Sequence, residues 1–167
     1  MARRVFLALL LLLPALPAGA QDACRLCYSD PAARPGERPL RLEIFADLSF
    51  SKLAQTGAGG GSATLGPEGG KQTSGGIIDL GGMAVSGHGR ITGEPGRAVR
   101  VELPDRVPMS AADGSDAELV QFTTSLPRHP ELGPDGSLEF SFGARLVVKD
   151  KGGGNYRGRI PISVDYN

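Results

Sequence analysis

Residues 155–167 read NYRGRIPISVDYN, and apolar and polar side chains alternate along them. Every second residue is apolar or small, namely Tyr156, Gly158, Ile160, Ile162, Val164 and Tyr166. The residues between them are mostly charged or polar. Because a β-strand sends successive side chains to opposite faces, this stretch predicts a strand with one buried face.

Short apolar runs separated by turn residues continue through the rest of the chain. The 167 residues include 25 Gly and 13 Pro, and many of these lie between the runs. Alternation predicts strands over 40–45 and 138–148, with a bulge or bend at Gly143. The stretch 66–76 predicts a loop.

Two further runs, 88–92 and 98–103, flank the sequence Gly93-Glu94-Pro95-Gly96. Proline presets φ and glycine allows a positive φ, so this spacing predicts a hairpin. In total the chain predicts roughly eight or nine strands and no helix beyond its leader. We therefore expect an all-β fold, a single β-sandwich, with a closed barrel as the alternative.

The first twenty residues are typical of a signal peptide. Arg3 and Arg4 precede a short apolar run, which ends near a small-residue site at Ala18-Gly19-Ala20. The run is too short for a membrane span. We expect cleavage near Ala20 and export to the periplasm, the cell surface or the exterior. The chain then divides into a signal peptide (1–20), an irregular arm containing cysteine and proline (21–38) and the β-sandwich domain (39–167).

Charge argues against nucleic acid as a partner. Cleavage removes Arg3 and Arg4 from 18 basic residues, which leaves 16 against 18 acidic residues and a net charge of about −2. A protein that binds the phosphate backbone needs an excess of basic residues. No second long apolar segment follows the leader, so we expect no membrane span.

Cys24 and Cys27 form the one reactive-looking motif, CRLC, in the arm. In an oxidising compartment the simplest interpretation is a local disulfide. A shared intermolecular metal or disulfide, a redox role and free thiols remain alternatives. A redox site typically begins a helix after a strand, and a zinc site needs four ligands, and neither context is present.

No catalytic constellation stands out. His88 and His129 are isolated, and no serine lies in a G-x-S-x-G turn. The stretch Asp113-Gly114-Ser115-Asp116 lacks the spacing of a calcium loop and predicts a solvated turn. We therefore expect no enzyme activity, no cofactor and no metal.

Several segments together resemble the bacterial domain of unknown function 4402 family. They are residues 40–50, 76–82, 91–96, 119–124, 136–143 and 156–167. The resemblance covers about residues 39–167. It implies a secreted immunoglobulin-like β-sandwich, in a family without an established biochemical activity.

The C-terminal pattern is also similar to that of chaperone–usher pilus subunits. The matching positions are Gly154, Tyr156, Ile160, Ile162, Val164 and Tyr166. This resemblance implies a partner that adds a β-strand, either a pilus-type chaperone or a neighbouring subunit. The arm lacks the alternating apolar run of a strand donor, so the domain would accept a strand without donating one, or would be complete by itself.

These expectations converge on an exported, non-enzymatic structural or surface-assembly protein of pilin-like type. The alternative is a monomeric periplasmic or secreted binding module with an unknown ligand. A third hypothesis is a small enzyme or metal carrier that uses Cys24 and Cys27.

Overall fold

The computed structural model describes residues 38–56, 59–149 and 155–167. These residues form eleven strands and no helix, which confirms the all-β class. They all belong to one compact unit. The predicted signal peptide, Cys24, Cys27 and Gly154 lie outside the described residues, so the expectations about them stay predictions.

Seven strands make one large antiparallel sheet, which curls like half of a barrel. They are β1 (Arg41–Ala46), β3 (Gly61–Gly66), β4 (Gly69–Gly75), β6 (Gly87–Thr92), β8 (Arg106–Ser110), β9 (Asp116–Thr124) and β10 (Ser137–Val148). Two pairs of strands make separate two-stranded sheets. These are β2 (Leu53–Gln55) with β5 (Ile77–Asp79), and β7 (Val99–Glu102) with β11 (Ser163–Tyr166). The immunoglobulin-like sandwich stays a prediction.

Strand β10 organises the large sheet because it serves three partners. Its first half, up to Phe142, pairs with β6, and its second half, from Ala144, pairs with β3. Strand β9 pairs with β10 from Phe142 to Val148. The change from β6 to β3 therefore falls at Gly143.

Gly143 has no room for a side chain. A Cβ there would overlap the backbone of Leu65 and Gly66, where β3 ends against β10. The predicted bulge or bend at Gly143 is correct only for its place in the ladder, since the register between β9 and β10 shifts between Gly143 and Arg145 while β10 continues unbroken. The extra residue lies on β9, where Gln121 has a positive φ of 52°.

Two other glycines make space for aromatic rings. Gly87 and Gly89 of β6 lie directly opposite Phe142 and Phe140 of β10. A Cβ on either glycine would overlap the facing ring. Each phenylalanine ring therefore lies over the glycine backbone, in space that a side chain would otherwise fill. Both rings are buried, at 3% exposure or less.

Apolar side chains form two cores on the inner face of the large sheet. The first core contains buried residues of β3, β5, β8, β9 and the second half of β10. Its buried members are Ala63, Ile77, Val107, Ala117, Leu119, Ala144, Leu146 and Val148. The second core joins β6 and the first half of β10 to β7 and β11. Its buried members are Ile91, Val99, Leu132, Phe140 and Phe142.

Two local predictions were wrong. The expected loop 66–76 contains β4, whose side chains are mostly exposed and polar, so no apolar alternation marks it as a strand. The expected hairpin does not form, because β6 already pairs with β1 and β10 on its two edges. The turn after β6 therefore leads to a different sheet, where β7 pairs with β11.

Replacing Gly143 by alanine should destabilise the fold by about 2–3 kcal/mol, because the backbone atoms that it would overlap belong to a paired strand and cannot yield cheaply. Urea unfolding measures the change. Gly59→Ala is the matched control, because a Cβ at Gly59 meets nothing within 4 Å and Gly59 has an ordinary φ. Equal stability of the two variants would contradict the role given to Gly143.

Candidate strand-addition site

The terminal residues form an extended ribbon with one face toward the second core. Exposure alternates from residue 159 to residue 167. Ile160, Ile162, Val164 and Tyr166 are half-buried and pack on the second core, whereas the residues between them are exposed. The alternation predicted from the sequence is therefore present over this stretch. Tyr156 also packs inward, against the first core, but Gly158 is exposed.

The paired part of this ribbon is shorter than the alternation suggests. Strand β11 pairs with β7 from Tyr166 opposite Val99 to Ser163 opposite Glu102. Two steps further in the same register, Pro161 would face Pro104. Since neither proline has a backbone N–H, the ladder ends there.

Among the residues that the structure describes, only one edge of β11 has a partner strand. Asn167 donates its backbone N–H to the carbonyl of Ala98, at 3.0 Å, so its backbone points toward β7. Backbone groups of alternate residues point to opposite edges, and those of Ile162, Val164 and Tyr166 therefore point away from β7. Within residues 38–56, 59–149 and 155–167, no strand pairs with this outer edge. We call it the open edge.

The second core beside the open edge is less covered than the first. It has five buried residues and eleven partly buried hydrophobic ones, whereas the first core has eight and seven. Three of the partly buried side chains, Ile160, Ile162 and Val164, belong to the terminal ribbon. The open edge thus combines unpaired backbone with apolar surface that water still reaches.

Strand β1 begins where β11 ends, and it is an edge strand of the large sheet. The Tyr166 hydroxyl donates to the carbonyl of Arg38, just before β1, at 2.7 Å. Leu40 and Leu42 pack on the same core as Ile162 and Val164. The end of β11 therefore lies close to the residues just before β1.

Tyr166 fixes the end of the ribbon. Its hydroxyl accepts the backbone N–H of Glu94 at 2.7 Å, in the turn between β6 and β7. The Arg97 guanidinium lies over the ring, 4.6 Å from its centroid, and also pairs with Glu94 at 2.9 Å. Tyr166 thus has a structural role in this chain, which sequence reasoning missed because its partners are distant in sequence.

Tyr156 differs from Tyr166 in its hydrogen bonding. Its hydroxyl is buried and has no hydrogen-bond partner among the described residues. The backbone of the next residue, Arg157, exchanges two hydrogen bonds with Ser110 of β8, at 2.9 and 3.1 Å. The ribbon therefore starts beside β8 and reaches β7 only after Ile162.

The remaining predicted positions do not form a site. His88 stacks on Phe45 with their ring centroids 6.0 Å apart, and His129 is exposed. Asp113 accepts hydrogen bonds from the Ser115 hydroxyl and N–H, which lower the pKa of its carboxyl, as in a closed polar turn. In the described part of the chain, no helix is long and apolar enough to cross a membrane.

Comparison with known proteins gives one match. The model of a family described as a domain of unknown function (DUF4402) matches residues 40–166. No curated protein and no solved structure matches the chain.

The two tyrosines give a matched test. Tyr166→Phe should destabilise the protein by about 1–2 kcal/mol, because it leaves the Glu94 N–H and the Arg38 carbonyl without the hydroxyl. Tyr156→Phe removes a buried hydroxyl without a partner and should be neutral or stabilising. Thermal unfolding compares them, and a larger loss for Tyr156→Phe would contradict these assignments.

Proposed function

The chain belongs to the DUF4402 family, and we propose that it is an exported, non-enzymatic structural protein that engages partners by β-strand addition at the open edge. One observation carries this proposal. The backbone groups of Ile162, Val164 and Tyr166 point away from β7 and have no partner strand in the described part of the chain.

An open edge of this kind favours strand addition for two reasons. An added strand gains a row of main-chain hydrogen bonds, which are available without rearrangement of the sheet. Its apolar side chains also remove water from the partly buried hydrophobic residues of the second core. Unpaired edges promote association unless charge, proline or a bulge protects them.

Proline does not protect this edge. Pro161 lies six positions before Asn167, an even number, and the N–H of Asn167 points toward β7. The missing N–H of Pro161 therefore faces β7 as well, and the outer side keeps its donors. The resemblance to pilus subunits supports a chaperone or neighbouring subunit as the source of the added strand, and residues 1–20 support export to the periplasm or cell surface.

Amide hydrogen exchange tests the proposal on the full chain after leader removal. At low protein concentration, the amides of Ile162 and Val164 should exchange quickly, whereas Asp165, which faces β7, should be protected. An acetylated peptide of alternating valine and threonine, about seven residues long to match the edge, should slow exchange at Ile162 and Val164. A scrambled peptide of polar residues is the control.

The same experiment can also contradict strand addition. If Ile162 and Val164 are already protected at high dilution, and the peptide changes neither their exchange nor the melting temperature, the domain is complete by itself. That result would favour the monomeric binding module and overturn strand addition.

A further inference from the structure

The sequence along the open edge is complementary to itself. Residues 159–165 read RIPISVD, with Ile162 at the centre. A basic residue lies three positions before Ile162 and an acidic residue three positions after it. The apolar residues Ile160 and Val164 lie symmetrically between them. Such a stretch matches a second copy of itself in the antiparallel direction.

We propose that the strand that fills the open edge is the terminal ribbon, residues 159–165, of a second copy of this chain, antiparallel and centred on Ile162. This proposal rests on the proposed function, since it names the partner at the same edge. Pairing on this centre places Ile162 opposite Ile162 of the second copy, and Ile160 opposite its Val164. In this register, Ser163–Tyr166 of each copy (β11) would lie between its own β7 and residues 158–161 of the second copy.

This register is compatible with the backbone hydrogen bonds between β11 and β7. The backbone groups of Ile162 and Val164 lie on the open edge, and the same two-residue period continued back along the ribbon places those of Ile160 there too, so each facing pair would exchange both hydrogen bonds. Pro161 faces Ser163 of the second copy, but the backbone groups of both residues point toward their own β7. Neither proline therefore interrupts the new ladder.

The side chains agree with the same register. Residues that face each other across an antiparallel pair lie on the same side of the sheet. The half-buried Ile160, Ile162 and Val164 would meet only apolar partners and cover the second core of both copies. The exposed Arg159 would meet the exposed Asp165 of the second copy. Two-fold symmetry gives this ion pair twice.

Charge also selects the direction. Among the described residues, neither Arg159 nor Asp165 forms an ion pair, so both are available. A parallel, in-register pair would place Arg159 beside Arg159 and Asp165 beside Asp165. Like charges directly opposite are destabilising, so the charges favour the antiparallel arrangement.

A charge exchange tests the register. Sedimentation velocity over a concentration series should show a dimer for the full chain after leader removal. Arg159→Asp alone and Asp165→Arg alone should each weaken the dimer about tenfold or more, since each turns two attractions into two repulsions. The double variant Arg159→Asp with Asp165→Arg restores opposite charges across the pair and should recover dimerisation.

Two controls separate this effect from folding and from net charge. Arg128→Asp makes the same charge change at an exposed position away from the edge and should leave the dimer intact. Thermal unfolding of each variant at high dilution should show that the monomer is folded, because both charges are exposed.

Failure of the self-pairing can be distinguished from failure of strand addition itself. A monomer at every concentration, or a dimer that the single variants do not weaken, would overturn the self-pairing. If the alternating valine–threonine peptide still protects Ile162 and Val164 in that case, strand addition stands and the partner is another chain. If the peptide also fails, both proposals fall.

Discussion

The fold depends on the close approach of three strands at Gly143. At this residue the pairing partner of β10 changes from β6 to β3, and the end of β3 lies against the glycine backbone. Ser86, just before β6, donates its hydroxyl to the carbonyl of Gly66 at 2.8 Å and ties the two partners to each other. One strand can therefore support both cores, which lie on the same face of its two halves.

The terminal ribbon pairs with the rest of the domain through a short ladder. Its four-residue ladder with β7 stops two positions before the register would place Pro161 opposite Pro104, and Tyr166 fixes its far end through a hydroxyl with two partners. The same prolines shorten the inner ladder without disturbing the outer edge. The position of proline in the two-residue period thus accounts for the short ladder with β7 and leaves the donors of the outer edge in place.

Much of this could be predicted from the sequence, but only where the signal is local. Alternation predicted the inward face of residues 160–166, and glycine at position 143 predicted an irregularity at this point of the ladder, although its extra residue lies on β9. Strand β4 was missed because both its faces are largely exposed and polar. The hairpin after β6 was predicted wrongly, since pairing depends on which edges distant strands already occupy.

The candidate strand-addition site could likewise be predicted only in part from the sequence. The spacing of the apolar residues predicted the inward face of the terminal ribbon. That the register would place Pro161 opposite Pro104 could be derived only once the pairing of β11 with β7 was known. The hydrogen bonds of Tyr166 join residues that are 72 and 128 positions apart, so no local pattern reveals them.

The place of β10 along the chain has a consequence for synthesis. A ribosome makes residues 1–136 before the first residue of the central strand exists, so β3, β6 and β9 have no common partner until late. Pairing of such distant segments is intrinsically slow. The large sheet therefore cannot be completed until β10 has been translated.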